Sequence, residues 1–177
     1  VIDPAAGKII ATASVTFGKD LPQFGCPDGV LPNADPLIKH SDPKMWLAAL
    51  DLLLARLAQG GINMAAVAAI SGDGQQHGSV YLNRSYVSAL GLLSAGHSLV
   101  DQLSGIFSRP TSPIWMDSST GAECAELDAS FGARLQQDTG SPAIERFTGP
   151  QIRRFSKLEP ERYAATVRIH LVSSFLC

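Results

Sequence analysis

The loop Gly72-Asp73-Gly74-Gln75-Gln76-His77-Gly78 gathers two amides, an imidazole and a carboxylate between flanking glycines. Glycine lets backbone approach a ligand closely, and Gln and His side chains offer both donors and acceptors. That mixture suits the hydroxyls of a small polar substrate such as a sugar. The alternative is a turn that is merely rich in polar residues. Phosphate binding fails on detail: no lysine precedes Ser79, so G-x-x-x-x-G-K-S/T is absent, and the glycine spacing is not G-x-G-x-x-G. A metal site needs several converging ligands, whereas His40, His77, His97 and His170 are scattered without H-x-x-H or H-E-x-x-H spacing.

Two further places carry chemistry. Asp117 closes the segment Pro113-Ile114-Trp115-Met116 and either orients a substrate hydroxyl or accepts from backbone amides where a helix begins. Glu145-Arg146 stands beside Phe147 and, taken alone, reads as a surface ion pair. Cys26, Cys124 and Cys177 are odd in number, far apart and unmatched to metal spacing, which suits a reducing cytoplasm. No activating histidine can be placed beside any of them. No G-x-S-x-G occurs, so a serine hydrolase of the common α/β type is unsupported.

The elements that must position these residues follow from periodicity. Asp3–Gly7 is a turn, and alternation over residues 8–17 predicts a strand returning in a hairpin. Residues 18–40, rich in Gly and Pro, form a long loop, either serving a site or packed as a structural excursion. Asp42-Pro43 starts a helix through Leu57 that Gly60-Gly61 ends. Val67–Ile70 predicts a strand buried on both faces, which puts the polar loop just beyond a strand end, where open α/β sheets bind ligands. Ser79–Leu82 reads as a strand, and residues 84–110 as one or two short helices. Pro113–Met116 reads as a buried strand. Thr120 with Glu123, and Thr148 with Gln151, have capping-box spacing ahead of two helices, the second with Ile152, Phe155 and Leu158 on one face. Arg168–Val172 is a strand.

A chain of 177 residues holds one domain with a sizeable core. Its charged fraction of 17% is low against about 25% for soluble domains, which suggests that other chain covers part of its surface. With net charge −2 and no basic run, nothing favours nucleic acid or an anionic membrane, and no apolar stretch is long enough to cross one. Val1-Ile2 reads as the tail of a strand, and Ile169–Cys177 is an apolar run without a cap, so both ends are expected to fall inside secondary structure.

Taken together the segments resemble the xylulokinases of the FGGY carbohydrate kinase family. Ala69–Tyr81, with Gln75-Gln76-His77-Gly78, looks like the sugar-contacting loop, and Ser112–Thr120, with Trp115-Met116-Asp117-Ser118-Ser119-Thr120, is similar to the following strand and helix start. Glu145–Ile152 and Arg168–Phe175 match later segments in order, and Asp20–Gly25 resembles the eukaryotic-type branch. The resemblance implies a ribonuclease H-like α/β fold of the actin and hexokinase superfamily. Residues 1–177 would be a partial N-terminal domain lacking its opening strand, with the C-terminal nucleotide-binding domain absent. It implies transfer of a phosphoryl group from ATP, with Mg2+, to the 5-hydroxyl of D-xylulose in the cytoplasm. It also implies sugar contacts from His77 and Arg146, with Gln76 beside His77 and Asp117 a further candidate. The family's phosphate-approaching turn would precede Val1 and its general-base aspartate would follow Cys177. These residues alone are therefore expected to be inactive as a kinase, to expose a sheet edge and to aggregate. A ribulose or polyol kinase of the same family, or a non-catalytic sugar-binding relative, are the alternatives.

Overall fold

Hairpin chemistry appears first: β1 (Ile2–Asp3) pairs antiparallel with β2 (Lys8–Ile9) around the Pro4–Gly7 turn. The expected strand through residue 17 stops early. Beyond Ile10 no neighbouring strand takes up the backbone; the Ser14 carbonyl instead accepts from the Arg56 guanidinium, which pairs with Asp20 at 2.8 Å. The short helix α1 (Phe17–Asp20) follows, and the long loop runs on to β3 (His40–Ser41). The computed structural model describes all 177 residues, Val1–Cys177.

Helix α2 (Pro43–Gln59) forms as its sequence dictates. The Asp42 carboxylate accepts from the Lys44 amide at 2.9 Å, Pro43 occupies the first turn, and Met45, Trp46 and Leu47 are buried. The expected strand Val67–Ile70 does not form. Ala68, Ala69 and Ile70 are exposed, Ile70 at 76%, after a 3-10 turn at Met64–Ala66. An apolar run becomes a buried strand only where partner strands flank it, and no strand here pairs with this one. The polar loop therefore follows an unpaired segment and leads into a strand, rather than lying beyond a strand end.

That strand, β4 (Ser79–Asn83), is the centre of the molecule. Its side chains alternate. Val80 and Leu82 join Met45, Trp46, Leu103 and Ile114 in the main core. Tyr81 packs on Phe155 with ring centroids 4.6 Å apart, and the Arg109 guanidinium lies 4.7 Å over Phe155 while its Nε donates to Glu159 at 3.1 Å. Helices α3 (Tyr86–Gly91) and α4 (Leu99–Leu103) occupy the 84–110 region as expected. β5 (Ser112–Pro113) pairs antiparallel with β3, setting Ser41 against Ser112. The expected strand through Met116 is cut short. Ile114 is buried, but Trp115 and Met116 turn outward, 51% and 39% exposed.

Helices α5 (Gly121–Phe131), α6 (Ala133–Thr139), α7 (Thr148–Leu158) and α8 (Pro160–Ala164) complete the second half, with β6 (Thr166–Leu171) and α9 (Val172–Leu176). Both expected capping boxes are absent. Neither Thr120 nor Thr148 caps through its side chain, Phe147 is the residue ahead of α7, and Thr120 and Gln151 bond elsewhere. On α7 only Phe155 of the predicted apolar face is buried; Leu158 is 61% exposed. The apolar run Ile169–Cys177 divides at Leu171 into the end of β6 and the start of α9. β6 pairs antiparallel with β4, from Ser79↔Leu171 to Asn83↔Thr166 with a bulge at Leu82/Asn83. The three sheets are all two-stranded. No helix is long and apolar enough to cross a membrane.

Candidate functional site

The loop is pinned from below by α9. The Val172 amide donates to the Gly78 carbonyl at 3.0 Å, and the exposed Cys177 thiol to the Gly72 carbonyl at 3.4 Å. A side chain at Gly74 would stand 2.8 Å from the Ser173 backbone nitrogen, and one at Gly78 2.9 Å from the Val172 methyl. These two glycines are required by close approach. Between them His77 takes φ +65, the single non-glycine residue of the chain in the left-handed region. A non-glycine residue held there costs on the order of 1 kcal/mol and persists only where its surroundings over-determine it. Those surroundings are visible: the Gly78 amide donates back to the Gln76 carbonyl at 2.8 Å, and the imidazole lies on Phe147, centroids 4.7 Å apart and planes tilted 30°.

The Gln75 carboxamide oxygen accepts from the Trp115 amide at 3.1 Å and so ties the loop to the opposite wall. Gln75, Gln76, His77, Trp115 and Arg146 then surround one hollow of about 400 Å³, within the range typical of small-molecule sites. A second hollow of about 270 Å³ shares Trp115 and Arg146 and adds Met116, Asp117, Ser118, Ile144 and Glu145. One guanidinium, one imidazole, two amides and an indole face can hold a polyhydroxyl ligand by hydrogen bonds and by packing on its C–H face. The first hollow has no carboxylate in its lining to take a proton.

Glu145 and Arg146 are not paired with each other, so the surface ion-pair reading is corrected: Arg146 borders both hollows. Its position comes from the backbone before it. The Glu145 carbonyl accepts from the Thr120 hydroxyl at 2.6 Å and from the Gln151 carboxamide at 3.1 Å.

Asp117 borders the second hollow with its side chain fully buried. One carboxylate oxygen accepts from the Ser119 amide at 3.0 Å, the Ser119 hydroxyl at 2.7 Å and Gln151 Nε2 at 2.7 Å; the other accepts from the Lys39 amide at 2.8 Å. Burial pushes its pKa up, but the hydrogen bonds from Ser119, Gln151 and Lys39 outweigh burial and hold the carboxyl below its ordinary range. His40 lies beside it, Nε2 at 3.5 Å from the carboxylate and Nδ1 at 2.8 Å from the Thr111 hydroxyl. Burial, and then the Arg109 charge, lower the His40 pKa to about 4, so the imidazole is neutral at pH 7 and its contact with Asp117 is polar rather than ionic.

Of the four expected sugar contacts, Gln76, His77 and Arg146 come together at one hollow, and Asp117 borders the second with its carboxylate oxygens engaged in the interior. Gln75, expected with the loop, also joins the lining, and so does Trp115, which was expected inside a buried strand. The available signal for Trp115 was a large aromatic two residues before Asp117. His97 is exposed, and no three His, Cys, Asp or Glu side chains stand together as a metal site.

No family model matches the chain. The chain is 47% identical over 171 residues to a protein named probable D-xylulose kinase A from Aspergillus flavus, covering 96% of this chain and 30% of that protein. It is 47% identical over 164 residues to a xylulose kinase from Mus musculus, covering 92% and 30%. The solved structure of a xyloylose kinase from Brucella ovis superposes with a TM-score of 0.66 at 21% identity, over 99% of this chain and 29% of that one. The fold is therefore the ribonuclease H-like α/β fold of the FGGY xylulose kinases. The chain spans about 30% of the length of the curated relatives it matches.

Proposed function

We infer that this chain, homologous along 96% of its length to xylulose kinases, is the sugar-holding part of such an enzyme. Its residues 1–177 belong to the N-terminal domain. The whole protein transfers a phosphoryl group from ATP to the 5-hydroxyl of D-xylulose in the cytoplasm. The observation that carries this reading is the convergence of His77, Gln76 and Arg146 on one hollow, with Trp115 in its lining. The strained backbone at His77 supports it, since strain of that kind is retained where a side chain must be aimed.

In this account His77 and Gln76 bond the sugar's hydroxyls from the loop side, and Arg146 does so from the other. No role toward ATP or Mg2+ is assigned to residues of this chain; the loop lacks the lysine of a phosphate loop. Binding and orienting the sugar is the contribution assigned here. Transfer depends on positioning and electrostatic stabilisation that this hollow does not supply by itself.

Steady-state kinetics of the whole protein test the reading. His77→Ala is expected to raise the D-xylulose KM by about tenfold or more, the loss of roughly one charge-free to charge-assisted hydrogen bond, with the ATP KM unmoved. Unchanged sugar kinetics would refute it. A lower KM for D-ribulose or glycerol than for D-xylulose would reassign the sugar.

A further inference from the structure

We propose that Asp117, Gln151 and Thr120 form a buried clamp that positions Arg146 for the sugar, Asp117 acting through the wall rather than touching substrate. This rests on the reading that Arg146 binds sugar. Arg146 is exposed and its side chain makes no hydrogen bond or ion pair, so its backbone alone sets where the guanidinium's reach begins. That backbone is a turn closed by the Phe147 amide on the Ile144 carbonyl at 2.9 Å, and within it the Glu145 carbonyl takes hydrogen bonds from two buried side chains. A carboxamide NH2 carries two donors. Gln151 gives one to Asp117 and the other to Glu145.

Asp117 in turn fixes Gln151, and its second oxygen holds the Lys39 amide at the end of the long loop. A buried carboxylate is tolerable only when its lone pairs are taken, and here four donors take them. Trp115 lies two residues before Asp117 on the same turn, where the Asp117 amide donates to the Ile114 carbonyl at 2.9 Å. One buried group thereby sets both the indole and the guanidinium of the wall opposite His77. The spacings that look like capping boxes are this clamp: Thr120 and Gln151 serve Glu145 instead of their own helices.

A double-mutant cycle in the whole protein tests the clamp. Thr120→Val keeps the shape and removes one donor; Gln151→Met removes both of its donors. Each is expected to raise the D-xylulose KM about three- to tenfold with the ATP KM unchanged, and Thr120→Ser to restore the wild-type value. In an Arg146→Ala background the same changes should add nothing to KM, the signature of residues acting through one another. Additive effects, or a fall in melting temperature with the sugar KM unmoved, would overturn the clamp. Should Gln151→Met not fold, Thr120→Val and its serine rescue decide the matter alone. If Arg146→Ala itself leaves the sugar KM unchanged, it is the sugar-binding reading that fails.

Discussion

The two walls of the hollow are held by opposite means. The His77 wall is backbone: a left-handed residue between glycines, pressed against α9 so closely that Gly74 has no room for a side chain. The Trp115–Arg146 wall is side chain: exposed groups standing on a buried carboxylate, carboxamide and hydroxyl. A wall built from backbone geometry can lose its functional side chain and keep its shape. A wall built on buried hydrogen bonds loses shape as soon as one partner goes. Substitutions should therefore separate affinity from stability on the first wall and couple them on the second.

The largest break is expected at Asp117. Asp117→Ala strands the Lys39 amide, the Ser119 donors and Gln151 in the interior, and each unsatisfied buried donor costs about 1–3 kcal/mol. A loss of about 3 kcal/mol or more in urea unfolding is predicted, against a change within about 1 kcal/mol for His77→Ala, whose ring is half-buried and whose backbone is strained. Equal losses at the two positions would erase the distinction between the walls.

A smaller effect sharpens the comparison through pH. The folded His40 pKa of about 4 lies below its ordinary 6.5, so between those values the unfolded chain binds more protons than the folded one. The stability that a neutral His40 contributes is full above pH 6.5 and is lost as pH falls toward 4, at most about 3 kcal/mol and less where solvent reaches the ring. Asp117, held below 3.8, extends the loss to lower pH still. The unfolding midpoint measured from pH 7 to 4 should fall, and His40→Gln should flatten that slope. A slope that survives His40→Gln would place the titrating group elsewhere.

Local signals made much of this legible. Asp42-Pro43 and Gly60-Gly61 bracket α2, because cap and proline act within a few residues, and Ser79–Leu82 reads as the strand β4. Val67–Ile70 misled because an apolar run carries no information about whether strands stand on either side of it. Trp115 misled in the reverse sense: hydrophobicity put it in a strand core, while the turn around Asp117 sends it outward. Thr120 and Gln151 have the spacing of caps but meet a carbonyl from distant chain, a partner no local pattern encodes. Of the site, Gln76, His77 and Arg146 were readable from residue type and resemblance, whereas the clamp behind Arg146 joins residues far apart in sequence.

The most direct test of sugar binding is a D-xylulose titration of the whole protein followed by tryptophan emission, since Trp115 lines the hollow and is 51% exposed whereas Trp46 lies in the core. A saturable change is predicted, removed by Trp115→Phe and shifted to higher sugar concentration by His77→Ala. A saturable signal that persists unaltered in both variants would place the sugar elsewhere and contradict the account.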